Sequence, residues 1–415
     1  MFRPMPVHVS SEIGRLRSVL VHTPGPELLA VTPDTRETYL YDDIIDLERA
    51  RQEHRRFVAI LERFCHVHQV RDLLADVLTI PEARDGIVRQ TTVVVPSAPL
   101  ERELQEVSVA ELIRRLIEGR EVDPGPLART LNDRGFVLPA LPNLFFTRDV
   151  AVGIGAHVLI GAMRYEARWS EELVMRTLFQ HHPLLENAGI IYDGSLERRL
   201  NHTIEGGDVH PLRRDTILLG FSERSTPAAI DGLADLLFAH TAVENIVVVV
   251  MPKENTAIHL DMIFTQVDRE QCVVFPPHFI GPERLSVLLW RKGQTTLREM
   301  PTLFDALREC DLPMEPVRCG GGGRTVQERE QWASGCNFVA LRPGLVLSYE
   351  RNEATLRELE GAGFRLVSSG DLLSGAETIG DDERAVITFG GGELVRGGGG
   401  PRCMTCPISR EDPWA

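Results

Sequence analysis

The chain has 415 residues, 43% hydrophobic and 25% charged, enough apolar material for a sizeable folded core. Its net charge of -15 argues against nucleic acid and anionic membranes, which want clustered Lys and Arg, but leaves room for a cationic small molecule. No stretch nears the about 18 apolar residues of a membrane helix, the start MFRPMPVHVSSEIGRLRSVLV has no signal-peptide pattern, and the seven scattered cysteines predict a reduced, cytoplasmic protein. In chain order, SVLVH (18–22) reads as a strand and IDLERARQEHRRFVAILERF (45–64) as a long amphipathic helix. Between about 73 and 140, TIPEARDGIVRQ, PLERELQEVSVAELIRRLIEG and PGPLARTLNDRG read mainly as helices. VAVGIGAHVLIGAM (150–163) predicts two short strands around a Gly-rich turn, followed by the helix EARWSEELVMRTLFQHH (166–182) and the strand GIIYDG (189–194).

Further on, TIEGGDVHPL and DTILLGFSE (203–223) precede a helix over 227–240 and a strand over 245–252. AIHLDMIFTQVD with QCVVFPP (257–277) and NFVALRPGLVLSYE (337–350) predict two more hairpins, the second followed by the helix EATLRELEGAG and the strand FRLVS. The unit strand–strand–helix–strand recurs about five times, which predicts a radially repeated α/β fold. Residues 73–140 break the repeat and read as a helical insertion domain between the repeat segments 1–72 and 141–415. A Rossmann fold is the competitor, but no G-x-G-x-x-G joins a strand to a helix, and the glycine runs at 320–323 and 397–400 lie in the wrong context.

Polar residues fall at corresponding points of successive units. Asp149 opens the hairpin at 150. Glu205 and Asp208 frame a Gly-Gly pair. His259 and Asp261 alternate along what reads as a strand, which would put both on one face. In a radial fold these ends meet near one axis. Carboxylates gathered there would suit a cationic, planar ligand, because they accept bidentate hydrogen bonds from a guanidinium. A cysteine beside it could attack the electron-poor carbon while the histidine handles protons. Ordinary readings compete: Asp149 and the Glu-Gly-Gly-Asp segment as turns, His259 as a core residue. The closing Cys403-Met404-Thr405-Cys406 could be a zinc pair, a redox pair or a reactive nucleophile. No second C-x-x-C accompanies it, no histidine stands at metal-ligand spacing, and Pro407 leaves little chain for the helix that would lower a redox thiol's pKa. Neither a metal nor another cofactor is expected.

SEIGRLRSVLVHTPG, EHRRF, LPNLFFTRD, EGGDV, HLDMIFTQVD, EREQW and RCMTCPISRED, in this order over nearly the whole chain, resemble the arginine deiminases, guanidino-modifying enzymes of the pentein superfamily. The resemblance implies a five-bladed pseudo-symmetric α/β propeller of ββαβ units with a helical insertion. It implies a hydrolase that uses water to convert L-arginine to L-citrulline and ammonia through a covalent Cys-amidino intermediate, in a homodimer or homotetramer. Carried over residue by residue, Cys403 rather than Cys406 is the nucleophile and His259 the general acid and base. Asp149 and Asp261 clamp the guanidinium, and Glu205 orients His259 and helps to position the substrate. Arg168 and Arg224 bind the substrate carboxylate, Asn143 and Phe146 line the pocket, Asp208 joins the substrate-binding set, and Glu12 pairs with Arg168.

The glycine-rich loop departs from the family pattern. Many members carry an arginine five residues before the nucleophile, associated with substrate-dependent loop movement. Here Gly398 stands there, and Arg402 is the candidate replacement. The departure keeps alternatives open: another guanidino amino acid as substrate, an amidinotransferase with the same covalent intermediate, or a non-catalytic metal-binding protein. Retention of both Arg168 and Arg224 favours a substrate with a free carboxylate.

Overall fold

The computed structural model describes residues 6–122, 125–131, 135–196 and 201–415. The reading of the N-terminal segment falls partly on residues 1–5, and that of PGPLARTLNDRG partly on 124 and 132–134, which lie outside the described residues. Among the described residues the strands form five sheets of three to five strands and one two-stranded ribbon, and no sheet closes on itself. No helix there is long and apolar enough to cross a membrane.

The expected unit is present in each of the five sheets. Ala151–Ile154 pairs antiparallel with His157–Ile160, the helix Trp169–His181 crosses over, and Ile190–Asp193 returns parallel. Val209–Arg213, Thr216–Phe221, the helix Pro227–His240 and Asn245–Val250 repeat that pattern. Phe264–Asp268, Gln271–Val274, the helix Leu303–Glu309 and Glu315–Arg318 repeat it again. Val339–Arg342 and Leu345–Tyr349 open the next sheet, where Ala385–Phe389 is inserted between Leu345–Tyr349 and Arg365–Ser368. The last unit joins the two ends of the chain. Cys406–Arg410 lies antiparallel to Leu16–Val21, which continues through the helix Leu47–Leu61 to the parallel strand His66–Gln69.

Local sequence accounts for these elements. The central strand Asn245–Val250 is buried on both faces through its middle, so it reads as the continuous β-branched run NIVVVV rather than as an alternating one. The helix Leu47–Leu61 starts where the Asp46 carboxylate accepts from the Arg49 amide, and it turns Ala50, His54, Phe57, Ile60 and Leu61 inward. Between 73 and 140 the helices Pro81–Val94, Ala98–Glu106 and Val109–Glu118 pack in one apolar cluster with Trp169–His181. The Ser97 and Ser108 hydroxyls cap the second and third of these.

The sequence reading missed short strands. His66–Gln69, the hairpin Val287–Arg291 with Arg298–Met300, Ala385–Phe389 and the ribbon Arg120–Glu121 with Phe136–Leu138 span only two to five residues each, too few to show a period. One reading is corrected. His259 and Asp261 do not alternate on a strand. His259 is extended, but Leu260–Met262 is a 3₁₀ turn closed by the Met262 amide on the His259 carbonyl, and the strand begins at Phe264.

A short polar turn therefore precedes the first strand of every unit: at 147–150, 206–208, 260–262, 335–337 and 402–405. Consecutive turns touch. The Arg148 amide donates to the Cys403 carbonyl, and Gly206 packs against the Arg148 carbonyl. The Leu260 amide donates to Asp208 Oδ1, Asn337 Nδ2 to the Asp261 carbonyl, and the Cys403 amide to Asn337 Oδ1. Gly14 fastens the N-terminal segment to the C-terminal strand, since a Cβ there would run into the Glu411 carbonyl. Gly14→Ala is expected to cost about 1–3 kcal/mol by overpacking. A denaturant midpoint unchanged from the parent would show that this junction gives way freely.

Candidate active site

The nucleophile expected from sequence sits in the tight turn at 401–405, where the Thr405 amide bonds the Arg402 carbonyl at 3.1 Å. Gly400 leads into it without a side chain because a Cβ would lie 2.6 Å from Asn337 Oδ1. Cys403 is buried, with Sγ 3.1 Å from Asn337 Nδ2 and 3.5 Å from Asp261 Oδ2. Cys406 faces elsewhere: it opens the next strand, and its thiol donates to the Ala151 carbonyl at 3.3 Å. Three positions in sequence thus place the two thiols in different surroundings.

His259 lies in the same cavity. Its Nε2 is 2.8 Å from Glu205 Oε2, and its Nδ1 is 3.8 Å from Asp149 Oδ1. Gly207 supports the ring from below, where a Cβ would meet Cγ at 2.5 Å. The Gly-Gly pair between Glu205 and Asp208 is thus a close-approach device as well as a turn. Burial alone would push the His259 pKa down. The Asp149 charge and the hydrogen bond and charge of Glu205 outweigh it and bring the imidazole up to about 9. The same carboxylates act oppositely on sulfur. Burial first, then Asp261 and Asp149, hold the Cys403 thiol well above its usual range. The site therefore carries an imidazolium beside a neutral thiol at neutral pH.

Each of the two aspartates has one oxygen engaged and one open. Asp149 Oδ2 accepts from Arg168 Nη1 at 2.7 Å, and Asp261 Oδ2 from Arg402 Nη1 at 2.8 Å. Asp149 Oδ1 and Asp261 Oδ1 are buried without a hydrogen-bond partner among the described residues. Such orphaned carboxylate oxygens are costly unless a ligand completes them. Arg224 Nη1 reaches Glu205 Oε2 at 3.2 Å, its guanidinium lies 4.8 Å from the Tyr165 ring centre, and its Nε makes no hydrogen bond, with Glu223 Oε2 at 4.0 Å. Arg168 lines the cavity with its guanidinium divided between Asp149 and Glu171. Asn143 and Phe146 line it as well, Asn143 anchored to the Tyr39 carbonyl at 2.8 Å.

Three expectations change. Glu12 does not pair with Arg168. It is buried between Arg148 (3.0 Å) and Arg402 (3.1 Å), because both guanidiniums are sealed in beside it and need a counter-charge. Arg402 cannot stand in for a loop arginine, since it is fully buried and spent on Glu12 and Asp261. Asp208 does not line the cavity. Its oxygens take the Ser222 and Ser225 hydroxyls, both at 2.6 Å, and the Leu260 amide at 2.9 Å, so it braces the turn that carries Asp261. Gly398 has a φ of +85°, and a Cβ there would meet nothing within 4 Å. It lines both the inner cavity and the wide cleft outside.

Sequence reading missed Asn337, Glu171 and Leu40. Asn337 had a signal: it stands two residues before a hairpin, as Asp149 does. Leu40, a lining residue with φ +66°, had none.

Five units of one strand–helix pattern around a buried cluster of cysteine, histidine and carboxylates define an α/β protein with a polar, charged central site. The same architecture occurs in solved structures, including SxtG, an amidinotransferase from Microseira wollei in the saxitoxin biosynthetic pathway, at a TM-score of 0.54, 13% identity and 98% coverage of each chain. At that identity the likeness concerns the fold. Sequence goes further. The family model of arginine deiminase matches residues 37–410. The arginine deiminase of Treponema denticola is 30% identical over 98% of this chain and 99% of its own, and that of Bacillus cytotoxicus is 33% identical over 98% and 99%. The chain belongs to the arginine deiminase family.

The arrangement sets an expectation for Glu205→Gln. With the Glu205 charge gone, burial gains on Asp149, and the His259 pKa is expected to fall from about 9. An NMR titration of the imidazole reads this directly, and an unmoved value would exclude Glu205 as its partner. The linkage sign follows, because the folded pKa lies above the ordinary one. The His259 contribution to stability is complete below about 6.5 and is lost as pH rises through about 9.

Proposed function

We propose that this chain hydrolyses L-arginine to L-citrulline and ammonia. The observation that carries the reading is two orphaned carboxylate oxygens: Asp149 Oδ1, 3.8 Å from His259, and Asp261 Oδ1, on the carboxylate whose Oδ2 lies 3.5 Å from the Cys403 sulfur. A guanidinium offers planar N–H donors and a positive charge to such a pair. Arg224, which lines the cavity, supplies a cation for the far carboxylate, and Arg168 a second.

The charges give the order of events. A guanidinium entering between Asp149 and Asp261 offsets the field that holds the thiol protonated, and the thiol proton leaves to solvent. The thiolate attacks the guanidino carbon and forms a C–S bond. His259, already protonated, gives its proton to one amino group, the C–N bond breaks and ammonia departs. The imidazole, now neutral, takes a proton from water as the water oxygen adds to the amidino carbon. The C–S bond breaks with its electron pair returning to sulfur as thiolate, the proton of the new hydroxyl passes to solvent, and citrulline remains. Glu205 keeps His259 oriented through both halves.

The ring of contacts among the five turns supports a pseudo-symmetric five-bladed propeller, with the ends of the chain sharing one blade. We assign 1–72 and 141–415 to it and 73–140 to a helical insertion. Incubation of the purified protein with arginine is expected to release citrulline and ammonia in equal amounts. Cys403→Ala should abolish release, and Cys406→Ala should retain it within a few-fold. Equal loss in both variants would remove Cys403 as nucleophile. Amidine transfer to an added amine, with no citrulline, would replace hydrolysis by transfer.

A further inference from the structure

We propose that Asn337 is a further catalytic residue, whose side-chain N–H stabilises the Cys403 sulfur whenever it carries negative charge. The inference rests on Cys403 being the nucleophile of the reaction above.

The orientation of the amide is fixed by its neighbours. Its Oδ1 faces two groups that can only donate, the backbone N–H of Arg402 at 2.8 Å and that of Cys403 at 3.4 Å. Its Nδ2 faces two acceptors, the Asp261 carbonyl at 3.2 Å and Cys403 Sγ at 3.1 Å. A flipped amide would set oxygen against oxygen and N–H against N–H. One proton is therefore held by Asp261, and the other is aimed at sulfur. Asn337 is itself fully buried.

The sulfur needs such a donor. Asp261 and Asp149 disfavour thiolate; on the other side stand only a backbone hydrogen bond from Gly400 and Arg402, whose guanidinium is committed to Glu12 and Asp261. His259 shares its cavity, and the buried Tyr349 hydroxyl, neutral in that environment, donates to the Gly399 carbonyl. A bound guanidinium offsets the aspartates, but it is consumed in the first half of the reaction. The Asn337 N–H remains in place for the second half, when the C–S bond breaks and the electron pair returns to sulfur. It is neutral, so it favours thiolate without opposing the positively charged substrate.

Asn337→Asp separates the two ends of the side chain. It keeps an acceptor for the Arg402 and Cys403 amides and replaces the donor at sulfur with an anionic oxygen. Losing a hydrogen bond to a charged group costs roughly tenfold to a hundredfold, and the added charge deepens it. In protein with an unchanged circular dichroism spectrum, alkylation of Cys403 by iodoacetamide at pH 9 is expected to slow at least about tenfold. The kcat for citrulline formation is expected to fall on the order of 100-fold, with KM within about threefold. Asn337→Ser, which withdraws the donor without adding charge, is expected to lose about tenfold in kcat, and it decides the matter if the Asp variant does not fold. Alkylation and kcat both within about threefold of the parent would overturn the proposal. A parent protein that is alkylated at Cys403 but forms no citrulline would overturn the substrate assignment instead. The alkylation comparison would still decide the Asn337 contact.

Discussion

Much of this molecule depends on the buried carboxylate of Glu12. Arg148, from the turn before Ala151, and Arg402, from the turn of the nucleophile, both end on it at about 3 Å, and Arg402 continues to Asp261. One anion near the N-terminus thus ties together turns that are hundreds of residues apart in sequence. Breaking such a buried pair leaves an uncompensated charge and costs roughly 3–5 kcal/mol. The rigidity has a use. Arg402 precedes Cys403 directly, so fixing its guanidinium fixes the backbone that carries the sulfur.

Around that anchor the site is an argument between burial and charge. The same aspartates make the histidine more basic and the thiol less acidic. A protein with these groups in water would hold a neutral imidazole and a partly ionised thiol near pH 8, ready to react with stray electrophiles. Packed together they hold a proton on each. A cation bound beside those aspartates acts on both groups in the opposite sense, favouring thiolate at sulfur.

The repeat was legible because its strands and helices carry period and composition. Pro227–His240 falls on the range read from the sequence, and the hairpins at 151–160 and 339–349 lie within theirs. Several short strands, such as His66–Gln69 and Ala385–Phe389, were not legible, nor was the turn at Leu260–Met262, where apolar flanks imitate a strand. Within the site, Cys403, His259, Glu205, Asp149 and Asp261 were legible from motifs and come together. Glu12, Arg402 and Asp208 were identified as residues but given the wrong neighbours. Their partners come from segments far away in the chain, and spacing along the chain carries no information about which buried charge meets which.

Sequence by itself determined the family and the repeat, since these are written in residue types at fixed local spacing. Only the tertiary structure decided which cysteine faces the cavity, why Gly-Gly must follow Glu205, that Asn337 touches the sulfur, and that Arg402 is locked away from the loop. Those facts depend on close approaches of a few ångströms between units. Gly398 remains a glycine in a left-handed turn with open space beside it. The sequence marked it as a departure, and the fold shows that it borders both the cavity and the cleft outside.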